Sequence, residues 1–259
     1  MRRYVPILIL IFILNFIPLL TLFSQDVELR MLEVKDNVYC IKNTDIPYNG
    51  PVRSEYPDGR KQFEANIEEG ILVGMVNYWY SNGIKAFSFT YIEGKIDGMY
   101  QHWHMNGKLF REGNYEDGKP VGEFKEWYPD GDLKSEEYFS EGHLNGPAFY
   151  YYNSGRIYRK GEYEKDIKSG VWIEFHETGI KKIEGAFIDG RMEGWFNEYN
   201  EKGKPVVRKL YKEDKLKVVE HKKWLGQILK EYYNLKDELY LREYYRFGKL
   251  RKKELVLDD

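Results

Sequence analysis

The stretch GMYQHWHMNGKLFREGNYEDGKPVG, residues 98–122, decides the fold of this protein. It begins and ends with a glycine, carries Asn106-Gly107 in its middle and has a further glycine, Gly118, near its end. Asn-Gly dipeptides favour tight hairpin turns, because they adopt positive φ angles at little cost. The runs between the glycines are strand-length and rich in aromatic residues. The stretch therefore predicts two short antiparallel strands and two turns.

The same pattern recurs every 24 residues along the chain. The first glycines of the copies are Gly50, Gly74, Gly98, Gly122, Gly146, Gly170 and Gly194. The predicted structural turn glycines are Gly59, Gly83, Gly107, Gly131, Gly155, Gly179 and Gly203. A third series has Gly70, Gly94, Gly118, Gly142 and Gly190, with Asp166 and Asp214 at the two remaining places. Since Asp also adopts the left-handed region, these two residues are expected to turn the chain in the same way.

The three glycine series keep their 24-residue spacing without an insertion or deletion, and this regularity predicts an all-β fold. We expect an elongated antiparallel meander, or solenoid, of about seven 24-residue β-hairpin repeats over residues 50–217. A helical fold is excluded, because a turn signal arrives every 10 to 14 residues. One hairpin is barely stable alone, so most of the stability is expected from the packing of neighbouring copies.

Aromatic and apolar residues keep fixed positions in the copies, counted from the first glycine as position 1. Position 3 holds Val52, Val76, Tyr100, Phe124, Ala148, Trp172 and Phe196. Position 7 holds Tyr56, Tyr80, His104, Tyr128, Tyr152, His176 and Asn200. Position 18 holds Ile67, Tyr91, Tyr115, Phe139, Tyr163, Phe187 and Tyr211. Charged residues between these columns vary, so the columns indicate a structural core.

The candidate binding residues form the column at position 6, where the first copy has Glu55. They are Trp79, Trp103, Trp127, Tyr151, Phe175 and Tyr199. Neighbouring residues of a regular strand face opposite sides, so positions 6 and 7 are both buried only if a bulge or a second layer covers one of them. We expect this column to be mostly buried. An exposed stripe of Trp side chains would instead be the ligand surface.

The pattern G-x-[aromatic]-x-x-[W/Y]-[Y/H]-x-x-G, followed by an aromatic residue and by -x-x-G-x-x-x-G, resembles the MORN repeat. It is most similar to the MORN variant repeat of bacterial proteins that are labelled antitoxin-like members of the YwqK family. Residues 98–122 are a near-ideal copy, and the resemblance covers residues 50–217. It implies an elongated hairpin array that makes protein–protein or membrane-associated contacts and has no catalytic residues.

The N-terminus has the pattern of a signal peptide ending at residue 24. Arg2 and Arg3 precede an apolar run over residues 7–23, and the small Ser24 follows it. This pattern predicts a cleaved signal peptide and export, to the periplasm, the outer envelope or the exterior. The alternative is an uncleaved membrane anchor, because the run is nearly long enough to span a bilayer. A cytosolic antitoxin role fits poorly with an export signal.

Two flanking segments lack the register of the array. Residues 25–49 are predicted to cap the first hairpin, whose free edge would otherwise favour aggregation. Residues 218–259 are predicted to hold one or two degenerate repeats and a basic C-terminal cap, with a turn at Phe247-Gly248. A short amphipathic helix over residues 219–230 is the alternative for part of this segment.

The C-terminal part of the chain is basic and the main body is acidic. Residues 204–259 carry 16 Lys and Arg against 10 Asp and Glu, in a chain of formal net charge −2. The basic end either contacts an anionic membrane, a glycan or an acidic partner, or is a solvated cap whose lysines prevent edge pairing. We favour the solvated cap. Nucleic acid is a poor candidate for an exported protein with an acidic body.

The residue types of catalytic and metal sites do not form the patterns that such sites need. His102 and His104 leave one strand face together, but a zinc site needs a third ligand. Both are therefore expected to pack like the Tyr residues of their columns. Cys40, the single cysteine, is predicted to be a small buried side chain in a strand. We predict no enzyme, no cofactor, no metal and no small-molecule substrate.

Two hypotheses for function follow. The first is an exported, non-enzymatic scaffold whose hairpin array meets an unknown protein or an envelope component. The alternative is a glycan- or cell-wall-binding module that stacks sugars on exposed Trp and Tyr rings. The surroundings of Trp79, Trp103 and Trp127 discriminate between them.

Overall fold

The structure is a computed structural model that describes residues 27–234 and 236–256. In these residues the regular structure is β-strand, apart from two short 3-10 turns at Leu29–Met31 and Trp224–Gly226. The predicted all-β fold of hairpin-like repeats is confirmed. The predicted signal peptide lies outside the described residues. Over the described ranges, the chain contains no helix that is both long and apolar enough to span a membrane.

Strands follow one another along the described chain in a 24-residue rhythm that is most regular in its middle part. They are β1 (Val27–Glu28), β2 (Leu32–Lys35), β3 (Val38–Ile41), β4 (Gly50–Glu55), β5 (Lys61–Glu68), β6 (Ile71–Trp79), β7 (Lys85–Ile92), β8 (Lys95–Trp103), β9 (Leu109–Glu116), β10 (Lys119–Trp127), β11 (Leu133–Ser140), β12 (His143–Tyr151), β13 (Ile157–Glu164), β14 (Ile167–Phe175), β15 (Lys181–Ile188), β16 (Arg191–Tyr199), β17 (Pro205–Lys212), β18 (Lys215–Lys222), β19 (Gln227–Tyr233), β20 (Leu239–Arg246) and β21 (Lys249–Leu255).

The first of two compact units comprises the described residues up to Leu109 together with Asn114–Lys119. Strands β4 to β8 pair antiparallel, each with the next. Before them, β1 pairs parallel to β4, and β2 with β3 forms a separate two-stranded sheet. The Tyr39 amide donates to the Gly70 carbonyl at 2.8 Å. The N-terminal segment thus lies against the first hairpin, and Cys40 in β3 is buried as predicted.

The second unit comprises Phe110–Gly113 and the described residues from Pro120 onward. Strands β10 to β21 pair antiparallel, each with the next. The alternative of a helix over residues 219–230 is wrong, because β18 and β19 occupy this segment and pair with each other. Their side chains alternate in cross-strand contacts that a helix does not offer.

The two turns of a copy take the predicted form. In the copy around Gly107, the His104 amide donates to the Lys108 carbonyl and the Gly107 amide donates back to the His104 carbonyl. At the second turn, Asp166 and Asp214 have φ angles of 68° and 65°, so these two aspartates adopt the left-handed conformation that glycine adopts in other copies. The prediction for both residues is confirmed.

The first strands of six copies carry a β-bulge directly before their last residue, which is aromatic in all of them except β4. The register shifts between Tyr78 and Trp79 in β6, and at the equivalent place in β4, β10, β12, β14 and β16. A bulge resets the alternation of side chains along the strand. Positions 6 and 7 can therefore both find packing partners, as the sequence required.

Most residues of the column at position 3 are buried in the core, which in the first copy also includes Phe63, Ala65 and Ile67. Val52, Phe124, Ala148 and Trp172 are each less than 5% exposed. In the second unit the rings of positions 3 and 18 alternate in edge-to-face contacts, with centroids 5.1 Å (Tyr163–Trp172), 6.4 Å (Trp172–Phe187), 5.6 Å (Phe187–Phe196) and 5.3 Å (Phe196–Tyr211) apart. Such pairs contribute about 0.5–1.5 kcal/mol each beyond their buried area. This ring series is the packing between copies that the repeat pattern predicted.

In the second unit, three of the position 16 residues are glycines that lie against a large ring at position 3 of the following copy. A Cβ atom added at Gly113, Gly161 or Gly185 would overlap the ring of Phe124, Trp172 or Phe196, respectively. Opposite the small Ala148, position 16 holds the larger Glu137, whereas in the first unit two rings, Phe89 and Tyr100, lie opposite each other. These glycines are therefore needed for close approach and not for a special backbone angle.

Candidate functional site

The six candidate binding residues lie at the aromatic ends of their strands, directly after the bulge. All of them are half-buried: Trp79, Trp103, Trp127, Tyr151, Phe175 and Tyr199. The column is thus neither the buried core nor a fully exposed stripe. It borders charged side chains.

In the first unit, lysines lie over the indole rings of this column. The Lys61 ammonium is 5.4 Å from the Trp79 ring centre. The Lys85 ammonium is 5.9 Å from the Trp79 centre and 5.6 Å from the Trp103 centre, and it donates to Asn77 Oδ1 at 3.0 Å. These distances are typical of cation–π contacts. A lysine therefore already occupies space over the faces of both indoles.

In the second unit, the column is tied to acidic side chains and to the main chain. The Tyr151 hydroxyl donates to Glu136 Oε2 at 2.6 Å. Burial, together with this hydrogen bond, raises the pKa of Tyr151, so the phenol stays neutral at physiological pH. The column thus presents a neutral hydroxyl beside a carboxylate, which suits polar contacts with a partner.

Side chains at position 7 bind the main chain of the candidate column in the next copy. The hydroxyl groups of Tyr56, Tyr80, Tyr128 and Tyr152 donate to the carbonyls of Trp79, Trp103, Tyr151 and Phe175 at 2.7–2.8 Å. His176 Nε2 lies 2.8 Å from the Tyr199 carbonyl and makes the same contact. The interpretation of His176 as a Tyr-like column residue is confirmed. These contacts position the candidate residues, and position 7 is structural.

The histidine pair His102 and His104 does not form a metal site with a third ligand among the described residues. The His102 ring stacks on Phe87 with centroids 4.1 Å apart, and its Nε2 is 3.2 Å from the Tyr80 hydroxyl. Among the residues that the structure describes, no group of three or more His, Cys, Asp or Glu side chains is arranged to hold a metal ion. His102 therefore acts as a packing residue.

The structural turn glycines lie in the turns, each with a positive φ angle: Gly59, Gly83, Gly107, Gly131, Gly155, Gly179 and Gly203. They bring the strand ends of one copy together and so set the spacing of the position 6 column. They contribute no side chain to a site.

A cluster that the sequence patterns did not single out surrounds Trp172. The Lys168 ammonium lies 4.6 Å from the Trp172 ring centre and 5.0 Å from that of Phe187. The Arg159 guanidinium lies 4.5 Å from the Tyr150 ring centre and 5.4 Å from that of Trp172. Burial, together with the charge of Arg159, lowers the pKa of Lys168.

One signal in the sequence points to this cluster. Lys168 occupies position 23, which the other copies fill with Leu72, Ile96, Pro120, Leu144, Met192 and Leu216. A single lysine in an otherwise apolar column is a departure from the repeat that a column-by-column comparison reveals.

Two neighbouring copies also agree with a known repeat family. Residues 96–117 and 120–141 match the MORN repeat variant. The starts of the two MORN segments are 24 residues apart, in phase with the glycine series, so the predicted resemblance is confirmed over these residues. No curated protein sequence matches the chain. The MORN segments include Trp103 and Trp127 of the candidate column, which places both residues at repeated structural positions.

Proposed function

We propose that this protein is a non-enzymatic repeat scaffold that binds a protein partner through the position 6 aromatic column. The observation that carries the proposal is the half-buried state of all six residues, beside exposed charged side chains. Aromatic side chains with a buried ring edge and an accessible remainder are enriched in protein interfaces. Repetition of the same group within each unit suits a partner that contacts several copies of that unit.

The lysines over Trp79 and Trp103 favour a protein partner over a glycan. Sugar rings bind to aromatic residues by stacking on the ring face, and Lys61 and Lys85 lie over these faces. A protein partner can instead contact the ring edges and pair its acidic groups with the lysines. The glycan-binding alternative would require both lysines to move away from their indoles.

The proposal includes no catalytic step. MORN repeats are generally non-enzymatic. Carboxylates near the column are engaged in structural contacts: Glu136 accepts from Tyr151, and Glu126 pairs with Arg111 at 3.2 Å. Their role is to hold neighbouring strands in place.

We further propose that the scaffold acts outside the cytoplasm. The support is the leader pattern with Arg2, Arg3 and the apolar run over residues 7–23. Export also argues against an antitoxin role in the cytosol. The mass of the mature chain purified from the envelope fraction tests this: loss of the first 24 residues is expected, and an intact N-terminus would contradict cleavage.

The basic C-terminal strand offers a second, weaker contact. Exposed Lys249, Arg251, Lys252 and Lys253 lie on β21. They would attract an anionic membrane or glycan electrostatically, in a way that salt screens. Binding of the mature chain to anionic vesicles that disappears at high salt is the expected result, and salt-independent binding would contradict it.

A pull-down from envelope extract tests the scaffold. The mature chain is expected to capture a protein, and Trp79→Ala with Trp103→Ala is expected to weaken capture about tenfold or more. Trp195→Ala, outside the column, is the matched control, and circular dichroism checks that each variant folds. Saturable binding to a purified glycan panel that is lost on Trp103→Ala would overturn the protein-scaffold proposal.

A further inference from the structure

The cluster around Trp172 has hydrogen-bond donors that the protein itself does not satisfy. Arg159 Nε is buried and has no hydrogen-bond partner in the described chain. Among the described residues, neither the Arg159 guanidinium nor the Lys168 ammonium makes a hydrogen bond or an ion pair; both contact aromatic rings. Buried donors of charged groups are costly to leave unpaired, so such a group calls for a ligand or for a special role.

An equivalent arginine in another copy shows what is unusual here. Arg111 occupies position 14 of its copy, as Arg159 does, and its Nε is also buried without a hydrogen-bond partner, but its Nη1 pairs with Glu126 at 3.2 Å. The equivalent carboxylate for Arg159 is Glu174, which lies opposite it on β14. No ion pair forms between the two, and the Arg159 guanidinium instead stacks on Tyr150 at 4.5 Å. The fork of Arg159 is therefore left free for another acceptor.

Lys168 is a second cation without an ion-pair partner in this cluster. Lys168 replaces an apolar residue of its column and lies against the ring of Trp172, which is also in contact with Arg159. Both cations are half-buried, and Trp172 between them is 4% exposed. Two positive charges that share one aromatic ring repel each other unless an anion joins them.

We propose that Arg159 and Lys168 form a binding site for one carboxylate group of an acidic side chain on the partner protein. This proposal rests on the proposed scaffold function and specifies the chemistry of one contact between the scaffold and its partner. The planar guanidinium fork binds a carboxylate in a bidentate manner, while the ammonium adds a point charge.

The local charge disfavours a doubly charged ligand. Glu174 interacts electrostatically with Lys168, and Glu137 accepts a hydrogen bond of 2.7 Å from the Tyr150 hydroxyl. The two cations and these two carboxylates together carry no net charge. A carboxylate carries one charge, whereas a phosphate monoester carries nearly two and would be repelled by the nearby glutamates.

Acetate is the probe for this site. The ¹⁵N-labelled mature chain is titrated with sodium acetate at constant ionic strength, with chloride as the balancing anion. The Arg159 Nε–H and Trp172 Nε1–H resonances are expected to shift saturably, since Trp172 Nε1 donates to the Glu162 carbonyl beside the cluster. Lys168→Leu restores the residue type of the column, so it should fold, and it is expected to weaken acetate binding about tenfold.

The control and the partner assay separate this site from the scaffold proposal. Lys182→Leu, an exposed lysine on β15, should leave acetate binding unchanged. Absence of saturable shifts, equal binding by Lys168→Leu, or tighter binding of inorganic phosphate than of acetate would each overturn the carboxylate site.

If partner capture is lost on substitution of Trp79 and Trp103 but unchanged in Lys168→Leu, the scaffold stands and this contact is wrong. If no partner is captured while acetate binds as expected, the anion site stands and the scaffold proposal fails.

Discussion

The hydroxyl group of Tyr152 donates a hydrogen bond of 2.7 Å to the main-chain carbonyl of Phe175 in the following copy. The same contact recurs at other copies and is made by an imidazole where the Tyr is replaced by His176. A side chain of one hairpin thus donates a hydrogen bond to the main-chain carbonyl at the bulge of the next hairpin. Neighbouring copies are joined by this bond in addition to their paired strands.

The first prediction concerns this bond between copies. Tyr152→Phe keeps the ring and removes only the donor, so the free energy of unfolding is expected to fall by about 1 kcal/mol. His176→Tyr restores the residue of other copies and is expected to be neutral within about 0.5 kcal/mol. Urea unfolding followed by circular dichroism measures both. Equal stability of Tyr152→Phe and the wild type would show that water satisfies the carbonyl as well as the hydroxyl does.

The second prediction concerns the fit between Gly161 and Trp172. Gly161→Ala places a methyl group where the indole lies, and over-packing of this kind is expected to cost about 1–3 kcal/mol. Adding Trp172→Val reproduces the Ala65 and Val76 combination of the first copies, where both residues are buried. The double variant is expected to lose less free energy of unfolding than the sum of the losses in the two single variants. Strict additivity in this double-mutant cycle would contradict the size match.

The third prediction concerns the pH dependence of the buried Glu220. Burial raises the pKa of Glu220, but hydrogen bonds from Arg208 and Lys230 lower it by more, so the pKa lies below its ordinary value of 4.5. When folding lowers the pKa of a carboxyl group, the ionised group stabilises the fold at pH values above its unfolded-state pKa. This stabilisation is lost as the pH falls through the folded-state pKa.

Glu220→Gln is therefore expected to lower the free energy of unfolding by about 1–3 kcal/mol at pH 7, since it leaves two cations without their carboxylate. The difference from the wild type should begin to shrink as the pH is lowered below 4.5, where the carboxyl of the unfolded chain becomes protonated, and should be lost below the lower folded-state pKa. Unfolding curves at pH 7, 5 and about 3 measure it. Glu238→Gln, at an exposed turn residue, is the control and should show little change. A difference that stays constant over this range would exclude the ionised pair as its source.

The fourth prediction concerns Cys40, which is 4% exposed in β3. A buried thiol reacts slowly, because a reagent reaches it only when the surrounding structure opens. The native chain is expected to react with a thiol reagent much more slowly than the urea-unfolded chain. Rapid modification under native conditions would show that the segment before the first hairpin opens readily.

Much of the fold follows from the sequence, because its glycines mark the turns. Gly107, Asp166 and Asp214 show this best, since their positive φ angles were expected from residue type and spacing alone. The strands between such turns then have little freedom in length. The choice between helix and strand over residues 219–230 was less certain, because no glycine series extends there.

The candidate site was only partly predictable. The position 6 column was recognised as a set, but its half-buried state was not, because the bulge before Trp79 resets the side-chain alternation. The cluster of Arg159, Lys168 and Trp172 was missed. Its members lie on two paired strands and come together only through cross-strand register.

The sequence by itself determined the 24-residue hairpin unit, its two turns and the columns of aromatic residues, since these depend on local backbone preferences and on spacing. Only the tertiary structure decided which column is core. Phe124, Trp172 and Phe196 of position 3 are buried because each ring lies over a glycine of the neighbouring strand, as Trp172 lies over Gly161. Such contacts depend on the distance between strands, which no local preference within one hairpin specifies.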